Sequence, residues 1–390
     1  MQILRNRDQQ AGQEGFGGRA DADPCMVTPR LNPLGRPRCH REKRFRLTSS
    51  LTGCYTDYTV RGLDATRVPL IKVCRPHDLQ EETGMITTVT RLGYRVIAVS
   101  FLCAAYGASA LQAQQTVPLT ERVQILNVDS LYAGMWVYYS RGYKDRAEAI
   151  GRQITASNQF YEESLGIDVD IRVALLDTVD HQRASISLPY GLPFISEGIA
   201  VLPADLATGA VVEMYAPFES TASAEILADL REAGFSYAEA NRRMVDLIGL
   251  HEIGHAQVTA YGIDARQRWF NELLASYFAY AYMQRNEPTN AVVWDRVTQA
   301  GREGHTPSYT SLDDFNRLYL AVGVSDYGWY QNVFQKRIQA VYEEHGLDFL
   351  RRVRECFSNP EWRPESAAEL LDVLEGIAPG FLAWSAELGR

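Results

Sequence analysis

Residues 269–283 read WFNELLASYFAYAYM, and a helix this apolar and aromatic has to be packed against other parts of the chain. Its fourth residue is a glutamate. An unpaired carboxylate is costly to bury in such a face, and binding a cation removes that objection. Glu272 therefore constrains the fold more than any other single residue: the chain must bring something positive to it.

The stretch LIGLHEIGH, residues 247–255, offers a place for that cation. Residues four apart lie on one face of a helix, so His251 and His255 present two imidazoles to one point, with Glu252 beside them. Leu247 and Ile248, one turn earlier, continue a face that points inward, and Gly254 leaves room for close approach. Glu272 lies 17 positions beyond His255, enough to finish one helix, turn and enter the next. A hydrolytic zinc site takes three protein ligands and keeps a fourth position for water. His251, His255 and Glu272 are the three candidates. The competing reading is that HEIGH is accidental in a helical protein without metal.

Helix signals extend on both sides. Ser236 and Glu239 form an S-x-x-E capping box, predicting a helix from there to about Ala260 with Gly262 near its stop. A second helix is expected over roughly 265–285, ending before Pro288, and further ones at 328–345, 347–357 and 366–376. Earlier, 125–139 contains β-rich runs, 146–166 has helical spacing closed by Gly166, 167–177 alternates like a strand, and Ile199 to Leu202 reads as a strand near a loop. A β-rich part at about 125–215 followed by a helical part at about 220–390 predicts an α+β domain. No repeat of 20–50 residues is visible, which disfavours a solenoid.

Charge and cysteines divide the 390-residue chain differently. Residues 1–84 are net basic although the whole carries −9, so 111–390 is strongly acidic, a poor match for nucleic-acid phosphates. Cys25, Cys39, Cys54, Cys74 and Cys103 all precede residue 111, without CxxC spacing, and only Cys356 follows. That distribution argues against a zinc knuckle and against a disulfide framework in the main domain. Between the two parts, residues 85–110 read as a secretory signal: Arg91 and Arg95, then the apolar run Val96 to Ala105, then the cleavage-site pattern Ala108-Ser109-Ala110. The run is too short to span a membrane. Met85 is then the expected start, 1–84 an upstream extension or disordered sequence, and the mature protein secreted or periplasmic with no stable membrane span.

HEIGH followed by a helix of the form N-E-x-x-A-[S/T/E]-[Y/F], here Asn271-Glu272-Leu273-Leu274-Ala275-Ser276-Tyr277, resembles the gluzincin zinc metallopeptidases. This is the thermolysin-like clan that includes aminopeptidase N relatives, and the resemblance spans about 125–357. It implies a thermolysin-like catalytic domain, with an edge-strand-like segment near Ile199–Leu202. It implies zinc held by His251, His255 and Glu272, Glu252 as general base, and a peptide or protein substrate. Family members often supply an oxyanion donor from a tyrosine on a later helix. The segment 325–346 resembles that helix and offers Tyr327 and Tyr330, with Tyr330 preferred for its distance to Gly346. Asn271 and Ser276 are placed to support the ligands. His305 is expected to decorate a loop surface and Asp246 to be solvated. The pattern departs from the family in three ways. The ligand spacing is shorter than in well-known members, Leu273 stands where aminopeptidases often have Gly, and GAVVEM (209–214) only faintly echoes the segment that holds a substrate's amino terminus. Exopeptidase specificity therefore does not follow. The alternative function is a zinc-binding protein of the same fold that acts as a binding module without peptidase activity.

Overall fold

The computed structural model describes residues 117–264, 266–359 and 363–388. The expected extension (1–84) and export signal (85–110) lie outside the described residues. No helix among those described is long and apolar enough to cross a membrane.

After a short helix α1 (Leu119–Ile125), strands β1 (Asp129–Tyr132) and β2 (Trp136–Tyr139) form an antiparallel pair. Helix α2 (Lys144–Leu165) then crosses over to β3 (Arg172–Leu176), which runs parallel to β2. Gly166 ends α2 at φ 68°, in the left-handed conformation that glycine adopts without a Cβ penalty. After α3 (Thr178–Arg183), β4 (Phe194–Ser196) turns back on β5 (Ile199–Pro203), and β5 lies parallel to β3. The resulting mixed sheet has the order β1-β2-β3-β5-β4. In β3 and β5 alternate residues face opposite ways. Val173, Leu175, Ala200 and Leu202 join the main core, whereas Ala174, Leu176, Ile199 and Val201 pack on α1 and its surroundings. Ile199–Leu202 is thus not the edge strand that was expected. Covered on both faces and paired on both sides, it is interior, and the edge strand beside it is β4.

Helices dominate from there. The faint echo at 209–214 is the start of α4 (Ala210–Tyr215), followed by a 3-10 turn (Ala216–Ser220) and α5 (Ala224–Glu232). Helix α6 (Tyr237–Ala260) begins with the predicted capping box, Ser236 N–H donating to Glu239 Oε2 at 2.8 Å and Glu239 N–H to Ser236 Oγ at 3.3 Å. Helix α7 (Arg268–Asn286) lies against it, and Gly254 is the reason they come so close. A Cβ there would fall 2.3 Å from the Ala275 carbonyl oxygen. Helices α8 (Pro288–Gly304), α9 (Leu312–Leu318) and α10 (Val324–His345) complete the jacket around α7, with a 3-10 turn (Tyr319–Val322) joining the last two. Asp295 of α8 accepts hydrogen bonds from Tyr280 of α7 and from Gln335 and Gln339 of α10, at 2.9, 2.9 and 3.1 Å. Helices α11 (Asp348–Phe357), α12 (Ala367–Ile377) and α13 (Phe381–Leu388) close the far side. There Trp384 of α13 sits 6.0 Å from Trp269, ring centre to ring centre, behind the start of α7. The architecture is α+β, a small five-stranded sheet followed mostly by helices.

Two polar residues sit differently from the sequence expectation. Asp246 is buried, not solvated, because its side of α6 meets α2. There the Arg146 guanidinium donates to both of its oxygens at 2.7 and 3.2 Å, and Arg243 adds a bond at 2.9 Å. His305 is not surface decoration: it follows α8 directly, and its Nε2 lies 2.8 Å from Asp326 Oδ1 at the head of α10. Asp326 is buried and also accepts the Ser308 N–H at 3.0 Å, so the pair fastens that loop.

Candidate metal centre

Helix α6 carries His251 and His255 one turn apart, their rings 4.7 Å between centres and nearly perpendicular at 84°. Helix α7, held close by Gly254, brings Glu272 to meet them. Its Oε2 lies 3.2 Å from His251 Nε2 and 3.7 Å from His255 Nε2. A tetrahedral zinc with bonds of about 2.1 Å separates its ligand atoms by about 3.4 Å. The two separations bracket that edge, so the carboxylate stands at a ligand-like distance from each imidazole. Glu252 is next to them, with Oε1 4.0 Å from His251 Nε2. Ligand atoms of His251, Glu252 and His255 all lie within 4.8 Å of one another, so this group could hold a metal ion. The other Glu252 oxygen accepts the Ile195 N–H of edge strand β4 at 3.2 Å.

Burial and mutual charge shape the protonation of these groups. Loss of water pushes the Glu252 carboxyl up to about 7. For Glu272 burial works the same way but is outweighed by the imidazoles of His255 and His251, which hold its carboxyl well below the usual range. Burial lowers His255 to about 4, leaving a neutral imidazole with a lone pair to offer. At His251 burial is outweighed by the hydrogen bond and charge of Glu272 and the charge of Glu252, and the pKa rises. A cation arriving between the imidazoles and Glu272 competes with the His251 proton for one place.

The surroundings orient these side chains. Ser276, one turn beyond Glu272, has its Oγ 2.9 Å from His251 Nδ1, the ring nitrogen turned away from Glu272. That is the kind of outer contact that fixes an imidazole ligand's orientation. Asn271 is half-buried and takes no part in these contacts. Tyr327 Oη donates to Glu272 Oε2 at 3.0 Å, while Tyr330, the tyrosine preferred from sequence, is fully buried and donates to the Ser311 carbonyl at 2.8 Å. The Tyr330 ring packs instead between Phe315 and Phe334, at 4.9 and 6.1 Å between ring centres.

Two neighbours were not foreseen. Gln331 Nε2 donates to Glu272 Oε2 at 2.7 Å, and its signal was available, since it stands four residues beyond Tyr327. Tyr319 Oη donates to Glu272 Oε1 at 2.6 Å from the 3-10 turn, where no periodicity marks it. Burial and the charge of Glu272 push the hydroxyls of both Tyr319 and Tyr327 up, so both remain protonated donors.

No protein-family model, curated protein or solved structure matches this chain. What the centre can do is set by its own residues.

Proposed function

We propose that this protein is a secreted or periplasmic zinc-dependent metallopeptidase with a thermolysin-like, gluzincin-type catalytic domain. The observation that carries this reading is the approach of Glu272 Oε2 to both imidazoles from a separate helix, with Glu252 alongside. Two histidines and a glutamate with a second carboxylate beside them form a donor set suited to hydrolytic zinc. A zinc ion held by His251, His255 and Glu272 would supply a water of lowered pKa and polarise a substrate carbonyl.

The remaining chemistry belongs to the chain's own groups. Glu252 takes the proton from the water and returns it to the amine nitrogen released when the peptide bond breaks. Tyr327 is the candidate oxyanion donor, because its hydroxyl lies at the centre, and to serve it must exchange its bond to Glu272 Oε2 for one to the oxyanion. Tyr330 is not assigned that role, because its hydroxyl is committed to Ser311. Strand β4 passes beside Glu252, so an extended peptide or protein segment has a backbone edge to align with. Export rests on the signal-like residues 85–110, and the acidity of 111–390 argues against nucleic acid as a partner.

One observation favours the second reading, a zinc-binding module without peptidase activity: Glu252 Oε2 accepts the Ile195 N–H, so this carboxylate already serves a structural contact with β4. Cleavage of a peptide library by wild type and Glu252→Gln separates the two. A working base predicts that the variant keeps its zinc and loses about 10²–10⁴-fold in cleavage rate. Zinc-loaded wild type that cleaves nothing favours the binding module. Equal cleavage by the two proteins removes Glu252 from the mechanism.

A further inference from the structure

A carboxylate that binds a metal must itself be oriented, and here its partners divide unequally between the two oxygens. Glu272 Oε2, the oxygen nearer both imidazoles, accepts from Tyr327 and Gln331, while Oε1 accepts from Tyr319 at 2.6 Å. A carboxylate oxygen offers two lone-pair sites. A metal on Oε2 must compete with the two donors already there, whereas the Tyr319 bond to Oε1 can persist with the metal bound or absent.

Tyr319 reaches Oε1 from an unfavourable backbone. Its φ of 49° and ψ of −117° are strained for a bulky residue, and such strain persists only where the surroundings over-determine it. Burial of the turn explains little, since of its large apolar residues only Val322 goes inside. Leu320 stays 56% exposed, and Val324 just beyond is 67% exposed. The ring, by contrast, is held on several sides. The Arg268 guanidinium lies 5.0 Å from its centre, and the rings of Phe315 and Tyr327 meet it nearly at right angles, at 5.6 and 5.7 Å. Arg268 is one turn before Glu272 on α7, so the helix that presents the carboxylate also pins the tyrosine that grips it.

We propose that Tyr319 is a positioning residue of the metal centre, tying Oε1 of Glu272 so that Oε2 stays aimed at His251 and His255. The inference rests on the zinc reading given above and extends it to a residue outside both metal-bearing helices.

Tyr319→Phe in the full chain keeps the ring and its contacts and removes only the hydroxyl. Zinc affinity, read by competition with a chromophoric chelator, is expected to weaken about 10–100-fold. Tyr330→Phe, which removes a nearby hydroxyl bonded to Ser311 and not to Glu272, is expected to leave it unchanged. Equal affinity in wild type and Tyr319→Phe overturns the inference alone. Equal weakening in both variants overturns it too, as a general packing effect, and so does failure of Tyr319→Phe to fold. Wild type that takes up no zinc overturns the metal reading and this inference with it.

Discussion

Asp295 is a half-buried carboxylate whose hydrogen-bond donors, Tyr280, Gln335 and Gln339, are all neutral. Burial pushes its pKa from the ordinary 3.8 up to about 6. Below the ordinary value the carboxyl is protonated in both folded and unfolded chains. Between there and about 6 the unfolded chain loses its proton first, so this group withdraws stability as pH rises, and the loss is complete above the folded pKa. Asp295→Asn removes that dependence. In urea unfolding, its stability relative to wild type should grow by roughly 2–3 kcal/mol from pH 4 to pH 7. A difference that stays flat with pH would show that the ionised carboxylate is well accommodated. At this scale His251, Glu252, His255 and Glu272 could be picked out of the sequence, because a four-residue spacing and a carboxylate within an apolar run are local signals. Asp246, His305 and Tyr319 could not. Their partners Arg146, Asp326 and Glu272 stand 100, 21 and 47 positions away, and only the packed helices bring these pairs together.

Between elements, the contact of α6 with α7 sets the geometry of the centre, and Gly254 permits it. A methyl group there meets the Ala275 carbonyl, part of a helix backbone that cannot rotate aside as a flexible side chain would. Gly254→Ala should therefore cost about 1–3 kcal/mol or more through overpacking. It should also weaken zinc binding, because His255 and Glu272 flank the displaced contact. An alanine variant with wild-type thermal stability and zinc affinity would mean that the helices tolerate a wider spacing. The long helices were readable from caps and stops: the Ser236 box, Gly166 and Pro288 all stand at the element ends where they were expected. The sheet edge was not readable. An apolar run such as Ile199–Leu202 has the same sequence whether a strand is interior or at a margin, and the short β4 carries no comparable run. Nor did any pattern separate α8 and α9 from their neighbours.

Across the whole molecule, a metal joining α6 to α7 ties two parts of the core that unfolding separates, so binding and folding should be linked. With free zinc at 1,000 times its dissociation constant, the folded state gains about 4 kcal/mol. The unfolding temperature should climb with zinc concentration, and EDTA should reverse the rise. A midpoint indifferent to both would deny a folded-state metal site. The order of the architecture was visible in advance, strands early and helices late, since it follows from hydrophobic period. The back of the centre was not, since Trp269 and Trp384 are far apart in sequence and meet only in the folded chain. That meeting has a consequence for biosynthesis. Trp269 stands three residues before Glu272, and the rings behind it belong in part to the last described helix. On the ribosome, the two histidines and the glutamate emerge well before their rear support does. Their helices can form early, but the helix that carries Glu272 acquires this backing only after Trp384 has emerged.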